Sequence, residues 1–343
     1  MKKLSKVDTL KLKILEDICS GQLPSGSKIY SRHQFMRRFK CSRGSIDKAV
    51  QELINEGFLY SRQGSGTYVA EKTSPKGSLE RIYIIGNYGK LDIASRFFQP
   101  GSLAAELQKY TECFLCDYAE VNLNLEKIAR AGTAVIWDHP SVNHIMIMDY
   151  LKKMGIRQIL IHRIFEDYEY ITTDYEAGIS EGLDWLVKNG GNEVIFFSTR
   201  THTAYPYIAE RQLVFFELAV RKGITIPKDG LYMDFDRSRT SFAEIEEVAG
   251  KLFKEKKCPK AIYVDYFDQA IPLLAVAGAH GLRPGKDFWL LVFDCEMSLY
   301  NRPGVAMIRQ NTGAFRTSLV DWVTNYKSAP MRLKVKPELI VTG

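Results

Sequence analysis

The sequence predicts an α/β protein in two parts: a small helical head that closes on a hairpin, then a larger region of alternating strands and helices. Three observations carry this. Apolar residues before Gly57 recur at helical spacing, and two short β-like runs follow. A polar stretch at 73–79 then reads as a linker between the head, 1–72, and the region 80–343. In that second region β-like and helix-like segments alternate at a length sufficient for two lobes.

The head reads in order. Leu10, Ile14, Leu15 and Ile18 mark a first helix that ends near Gly21. Ser31-Arg32-His33-Gln34 has the form of a capping box and opens a short helix running through Phe39. A turn at Lys40-Cys41 leads to Ser42, a second N-cap. Ile46, Ala49, Val50, Leu53 and Ile54 then form one apolar face up to Gly57. Runs 58–62 and 67–70 flank Gln63-Gly64-Ser65-Gly66, which predicts a hairpin with a four-residue loop. Helix, helix, turn, helix, hairpin is the order of a winged helix-turn-helix, whose third helix enters the major groove of DNA.

Charge agrees with that order. Residues 1–72 hold 14 Lys and Arg against 7 Asp and Glu, so the whole net charge of +7 lies there and the rest of the chain is balanced. A localised positive head suits a polyanion, though a basic solvated surface would look the same in composition.

Four ordered blocks carry a more specific resemblance. They are Gly21-Gln22-Leu23-Pro24-Ser25-Gly26-Ser27-Lys28-Ile29, then Ser42-Arg43 with Ser45-Ile46, then Asn55-Glu56-Gly57-Phe58-Leu59, and Gly64-Ser65-Gly66-Thr67-Tyr68-Val69. The stretch Ile18–Ala70 resembles the GntR-type winged helix. The resemblance implies that Arg43 and Ser45 contact DNA and that Gly66 sits at the wing tip. Ser31, Arg32, His33, Ser42, Lys48 and Arg62 complete the expected DNA-binding set. The chain departs from the family at two positions. His33 stands where an arginine is usual, with Arg32 beside it to take the phosphate, and Asp47 replaces a second arginine of the recognition helix. An acid cannot pair with phosphate but can accept from cytosine N4; it can equally be a solvated residue or a partner for Arg43.

Beyond the linker, strands are expected at 81–86, 113–118, 134–138, 158–162, 193–198, 231–235, 261–264, 289–293 and 305–308, with helices at 177–188, 210–222 and 244–256 between some of them. Ligands in parallel α/β folds sit beyond the carboxyl ends of the strands. Asp138-His139, His162-Arg163, Tyr205-Pro206-Tyr207, Asp265-Tyr266-Phe267-Asp268 and Asp294 fall there. Carboxylates and guanidinium groups hold hydroxyls, and rings cover the C–H face of a sugar.

Ile171 to Gly178 with Gly190 to Phe196, Glu210-Arg211 through Ile224, and Leu291 to Asp294 with Arg302 to Gln310 resemble the LacI-type, periplasmic-binding-protein-like effector domain. That domain behind a GntR-type head is the arrangement of arabinose-type sugar regulators. The resemblance implies that Arg211 and Asp294 hold the hydroxyls of an effector and that Gln310 lines its cleft. Arg163, Asp174, Phe98, Trp137 and Phe267 complete the ligand-binding candidates. Arg211 and Asp294 also have structural readings, as an ion pair with Glu210 or Asp174 and as a cap, and the three aromatic residues also suit the core. An expected Asn-Asp ahead of Ala270 is replaced by Tyr266-Phe267, which favours stacking on a sugar over an amide contact.

The two resemblances together imply a regulator, a repressor of carbohydrate-utilisation genes, that binds a palindromic double-stranded DNA operator as a homodimer. Its effector would be a monosaccharide such as L-arabinose or L-fucose. A non-sugar effector and a purely dimerising C-terminal domain are the alternatives. No catalytic triad, metal-ligand spacing or phosphate-binding loop is visible in the sequence, so neither enzyme activity nor a cofactor or metal is expected. Cys113 and Cys116 have CxxC spacing, which admits redox or metal roles, but they lie in an apolar strand-like run and read as core cysteines. No apolar run is long enough to span a bilayer, and no secretory signal follows the basic start, so a cytoplasmic protein is expected.

Overall fold

A computed structural model describes residues 5–19, 22–24, 26–55, 58–70, 79–88, 103–202, 205–235, 242–254, 259–295, 297–325 and 329–342. Nearly all of the expected linker, and Phe98, lie outside these residues. The chain forms two compact units, Met1–Ile171 with Arg316–Arg332, and Thr172–Phe315 with Leu333–Gly343.

The first unit begins with the head. Helix α1 (Lys6–Cys19) buries Leu10 and Ile14. Helix α2 (Arg32–Phe39) starts at a complete capping box: Ser31 Oγ accepts from Gln34 N, and Ser31 N donates to Gln34 Oε1 at 2.8 Å. Lys40 takes the left-handed conformation at φ 49° and turns the chain toward α3 (Arg43–Asn55). Helix α3 buries Ile46, Ala49, Val50 and Leu53, the face that the spacing predicts. Ser42 caps it by accepting from Ser45 N. Strands β1 (Leu59–Arg62) and β2 (Gly66–Val69) pair antiparallel. Arg62 faces Gly66 across the ladder, so the loop is three residues long and not four. Gly64 and Gly66 hold φ values of 73° and 123°, conformations that L side chains rarely adopt.

The rest of this unit is built on a sheet of β3 (Arg81–Gly86), β4 (Glu112–Asp117), β5 (Thr133–Asp138), β6 (Arg157–Ile161), β7 (Glu169–Thr173) and β13 (Arg332–Val335), in the order β4-β3-β5-β6-β7-β13, with β7 and β13 running past the unit's bounds at Ile171 and Arg332. Strands β3 to β7 run parallel. Helices α4 (Leu103–Leu107), α5 (Val121–Ile128) and α6 (Ile145–Lys153) lie between successive strands, and α5 and α6 pack Val121, Ile128, Met148 and Leu151 into its core. Cys113 and Cys116 are buried on β4 as free thiols, and burial pushes the Cys116 thiol up to about 12.

The second unit contains helices α7 (Tyr175–Gly190), α8 (Pro206–Arg221), α9 (Phe242–Lys254) and α10 (Phe267–Ala279). Its sheet comprises β8 (Val194–Thr199), β9 (Leu231–Phe235), β10 (Ala261–Val264), β11 (Trp289–Phe293), β12 (Val305–Arg309) and β14 (Glu338–Thr342), in the order β9-β8-β10-β11-β12-β14. Only the β12–β14 pair is antiparallel. Helix α11 (Thr312–Thr324) runs across the boundary at Phe315.

Alternation along the central strands gives this sheet two dry faces. Phe196, Tyr263, Leu291 and Ile308 pack with α7 and α8; Phe197, Ile262, Val292 and Met307 pack with α9 and α10. Both large sheets begin with the order 2-1-3-4-5 counted from their own first strand. That order creates a switch point between the first and third strands, where open α/β sheets bind ligands.

Candidate functional site

In the head, α3 presents Ser42, Arg43, Ser45 and Lys48 at its exposed amino-terminal end, and α2 presents Arg32 and His33. Asp47 joins the two helices. Its carboxylate accepts from Arg32 Nε at 3.0 Å and lies 3.9 Å from Arg43 Nε. On the wing, the Arg62 guanidinium lies over the stacked rings of Tyr60 and Tyr68, which are 5.7 Å apart. A Cβ on Gly66 would fall 2.6 Å from Lys28 Cε, so Lys28 lies against the wing. Sequence reasoning did not single out Lys28; its isolated bridge to Tyr68 puts it there.

In the second unit the strand ends converge on Arg211. Pro206 sets the first turn of α8, and the helix's inward face then delivers Arg211, Gln212, Phe215 and Leu218 to the sheet. Arg211 is 3% exposed. Its Nη2 donates to Asp294 Oδ2 at 3.2 Å, and its Nη1 donates to the carbonyl of Asp265 at 3.2 Å. Phe293, Tyr207 and Tyr175 surround the guanidinium, with the Phe293 centroid at 3.7 Å. Burial works against the charge, but Asp294 together with Tyr175, Asp265 and Tyr263 outweighs it, so the guanidinium is held above its ordinary pKa.

The network continues outward. Gln310 Nε2 donates to Asp294 Oδ1 at 2.6 Å, and Thr173 Oγ1 donates to Gln310 Oε1 at 2.7 Å. Behind it, Gln212 Nε2 donates to Ser198 Oγ at 2.9 Å, and Ser198 Oγ donates to Asp265 Oδ2 at 2.9 Å. Asp294 follows β11 directly with a φ of 71°, and Phe293 ends that strand. A side chain in the left-handed region costs energy, and such positions concentrate at binding sites. A cation, a carboxylate and an amide fixed at the carboxyl ends of parallel strands can hold vicinal hydroxyls by paired hydrogen bonds.

The structure thus brings Arg211, Asp294 and Gln310 together. Arg211 pairs with Asp294, rather than with Glu210 or Asp174. Asp174 instead caps α7, accepting from Ala177 N at 3.0 Å. Phe267 opens α10 beside Tyr266, partly buried against the core, with ring centroids 4.7 Å apart. Thr173, Ser198 and Gln212 were missed in sequence; Thr173 directly precedes Asp174, and Ser198 and Gln212 resemble ordinary strand and helix residues there.

The first unit has its own crest. Asp138, His139, His162 and Arg163 follow or end β5 and β6, and His139 and His162 have φ values of 56° and 59°. Their rings stack at 4.4 Å, and His139 Nδ1 lies 2.6 Å from Asp138 Oδ1. Burial disfavours the Asp138 carboxylate, but His139, His162 and Arg163 outweigh it and hold its pKa below the ordinary value. Arg163 is 1% exposed and donates to the carbonyls of Pro140 and His162, so it braces the turn after β6. Trp137 is wholly buried, with Nε1 donating to Gln158 Oε1 at 2.9 Å. It lies in the core of this unit, near the rings of Tyr118 and His144.

Comparison with known proteins agrees with both parts. Residues 6–69 match the model of bacterial regulatory proteins of the gntR family. An arabinose metabolism transcriptional repressor of Halalkalibacterium halodurans is 30% identical over 181 residues, covering 47% of this chain and 45% of that protein. Its counterpart from Geobacillus stearothermophilus is 40% identical over 79 residues, covering 23% of this chain and 21% of that protein. The chain thus matches less than half the length of these relatives.

Among solved structures, a LacI-family regulatory protein from Chloroflexus aggregans aligns with a TM-score of 0.60 at 15% identity, over 77% of this chain and 97% of that one. The cellobiose complex of a regulator named CelR aligns at 0.57 and 16% identity, over 88% and 90%. No helix among the described residues is long and apolar enough to cross a membrane. Residues 6–69 thus match the gntR-type model, and the region behind them shares its fold with the LacI-family regulator structure.

Proposed function

We propose that the chain is a sequence-specific DNA-binding transcriptional regulator, a cytoplasmic repressor of carbohydrate-utilisation genes, whose operator affinity is set by a small sugar held around Arg211. Residues 1–72 bind a palindromic operator, 73–79 link, and 80–343 bind the effector and form the homodimer. The observation that supports this reading best is the pairing, in one chain, of a gntR-type head with the Arg211–Asp294–Gln310–Thr173 network at the carboxyl ends of parallel strands. The names of the repressor relatives favour a pentose such as L-arabinose; L-fucose is the next test compound.

Thermal denaturation against a panel of simple sugars tests the effector. A bound sugar at one hundred times its dissociation constant adds about 2.7 kcal/mol. Asp294→Ala abolishes that shift, and it also destabilises the unit by about 3 kcal/mol because it strands the buried Arg211 charge. A response to nucleosides or amino acids, but to no sugar, would overturn the sugar assignment. In the head, Arg43→Ala lowers operator affinity at least about tenfold, the loss of one good base or phosphate contact. Retention of full affinity would remove α3 from the interface.

A further inference from the structure

We infer that Asp47 is a specificity-determining residue of the head, acting through the two arginines it holds; this rests on the DNA-binding reading above. The carboxylate sits on α3, one turn after Arg43 and beside the first residue of α2. It reaches Arg32 at 3.0 Å and Arg43 at 3.9 Å. All three groups are open to solvent, with side chains 44%, 80% and 47% exposed for Arg32, Arg43 and Asp47. Such exposed pairs are weak and exchange readily for phosphate.

Two consequences follow from one anion between two cations. The Asp47 charge cancels half of the local positive charge that would draw any duplex, so contacts made to phosphate alone are weakened on every sequence. A phosphate that takes either arginine also leaves the carboxylate facing a second anion. That penalty is lifted where the carboxylate meets an amino donor on a base edge, cytosine N4 or adenine N6 in the major groove. Asp47 therefore lowers affinity for random DNA more than affinity for a matching site. Lys48 follows Asp47 on α3, and His33 follows Arg32 on α2.

The test compares the full-length chain with its Asp47→Asn variant, which keeps shape and an acceptor but loses the charge. Two duplexes serve as probes: a random-sequence duplex, and one recovered by selecting wild-type protein against a random library. The variant should bind the random duplex about fivefold or more tightly at low salt, with a salt dependence steeper by about one counterion. On the selected duplex its affinity should change less, so the ratio of the two affinities falls. Selection repeated with the variant should lose preference at one base pair in each half-site. Unchanged affinity and salt slope on random DNA would overturn the inference. So would a folded variant that loses binding to both duplexes, because the carboxylate would then be ordering the arginines for contact. A wild-type chain that binds no duplex would instead refute the DNA-binding reading itself.

Discussion

Glu169 in the first unit is a partly buried carboxylate and Asp265 in the second a fully buried one, and the fold treats them in opposite ways. Glu169, on β7, collects four donors: Arg157 Nε and Nη2 at 2.7 and 2.8 Å, Trp322 Nε1 at 2.8 Å and Met331 N at 2.8 Å. Burial works against its charge, but these donors outweigh it and hold its pKa below the ordinary value. Asp265, directly after β10, has the hydroxyls of Ser198 at 2.9 Å and Tyr263 at 3.4 Å. The nearby guanidinium of Arg211 bonds to the carbonyl of Asp265 and to the carboxylate of Asp294 instead. Burial therefore dominates, and the Asp265 carboxyl is raised to about 7. Depth of burial, donor number and the commitment of the nearest cation together decide which acid stays charged.

The sharpest break of this comparison is Glu169→Ala. It removes the charge that faces Arg157, which stacks over Trp322 at 4.9 Å, and it strands two neutral donors. The expected cost is about 3–5 kcal/mol in denaturant unfolding. Glu169→Gln keeps acceptors for Trp322 and Met331 and should cost less, about 2 kcal/mol. Equal losses would show that the charge of Glu169 contributes nothing beyond its hydrogen bonds.

The two acids also predict opposite pH dependences. Glu169 binds its proton less tightly folded than unfolded. Its stabilisation is therefore present above the unfolded glutamate pKa and is lost as pH falls through the depressed folded value. Asp265 binds its proton more tightly folded. Between the unfolded aspartate pKa and about 7 the folded chain keeps a proton that the unfolded chain has lost, so stability declines as pH rises through that window. The decline is at most about 1.4 kcal/mol per pH unit for one proton. Asp265→Asn should remove that slope, read as the difference between variant and parent unfolding curves over the window. If the slope persists in the variant, Asp265 is ionised throughout.

The sequence made one of these acids easier to see than the other. Asp265 lies at a strand end, where parallel α/β sheets place polar residues, and Arg211, Asp294 and Gln310 stand in blocks whose spacing marks them. Strands such as β3, β10 and β11 have the bounds that their apolar runs predict, because they are buried along nearly their whole length. Strands β13 and β14 escaped notice. They are short edge strands with exposed Lys334, Glu338 and Val341, so their apolar signal is weak. Glu169 escaped for a different reason. Its donors come from residues 157, 322 and 331, and no local pattern announces an acid whose partners lie up to 162 positions away. Arg163 and Trp137 are buried, with backbone and glutamine partners that no local pattern in the sequence announces.

The smallest effect separates donor number from burial at Asp265 itself. Ser198→Ala removes the 2.9 Å donor and leaves the distant Tyr263 hydroxyl at 3.4 Å. Gln212 keeps its bond to the Thr199 carbonyl, so the loss in stability should be about 1 kcal/mol. The diagnostic change is the upper end of the pH-dependent decline. With one fewer donor to the charged form, Asp265 should hold its proton to higher pH, and the decline should extend above about 7 by a fraction of a unit. A downward move would mean that Ser198 stabilises the protonated acid by accepting from it, and the direction of that hydrogen bond would have to be reversed.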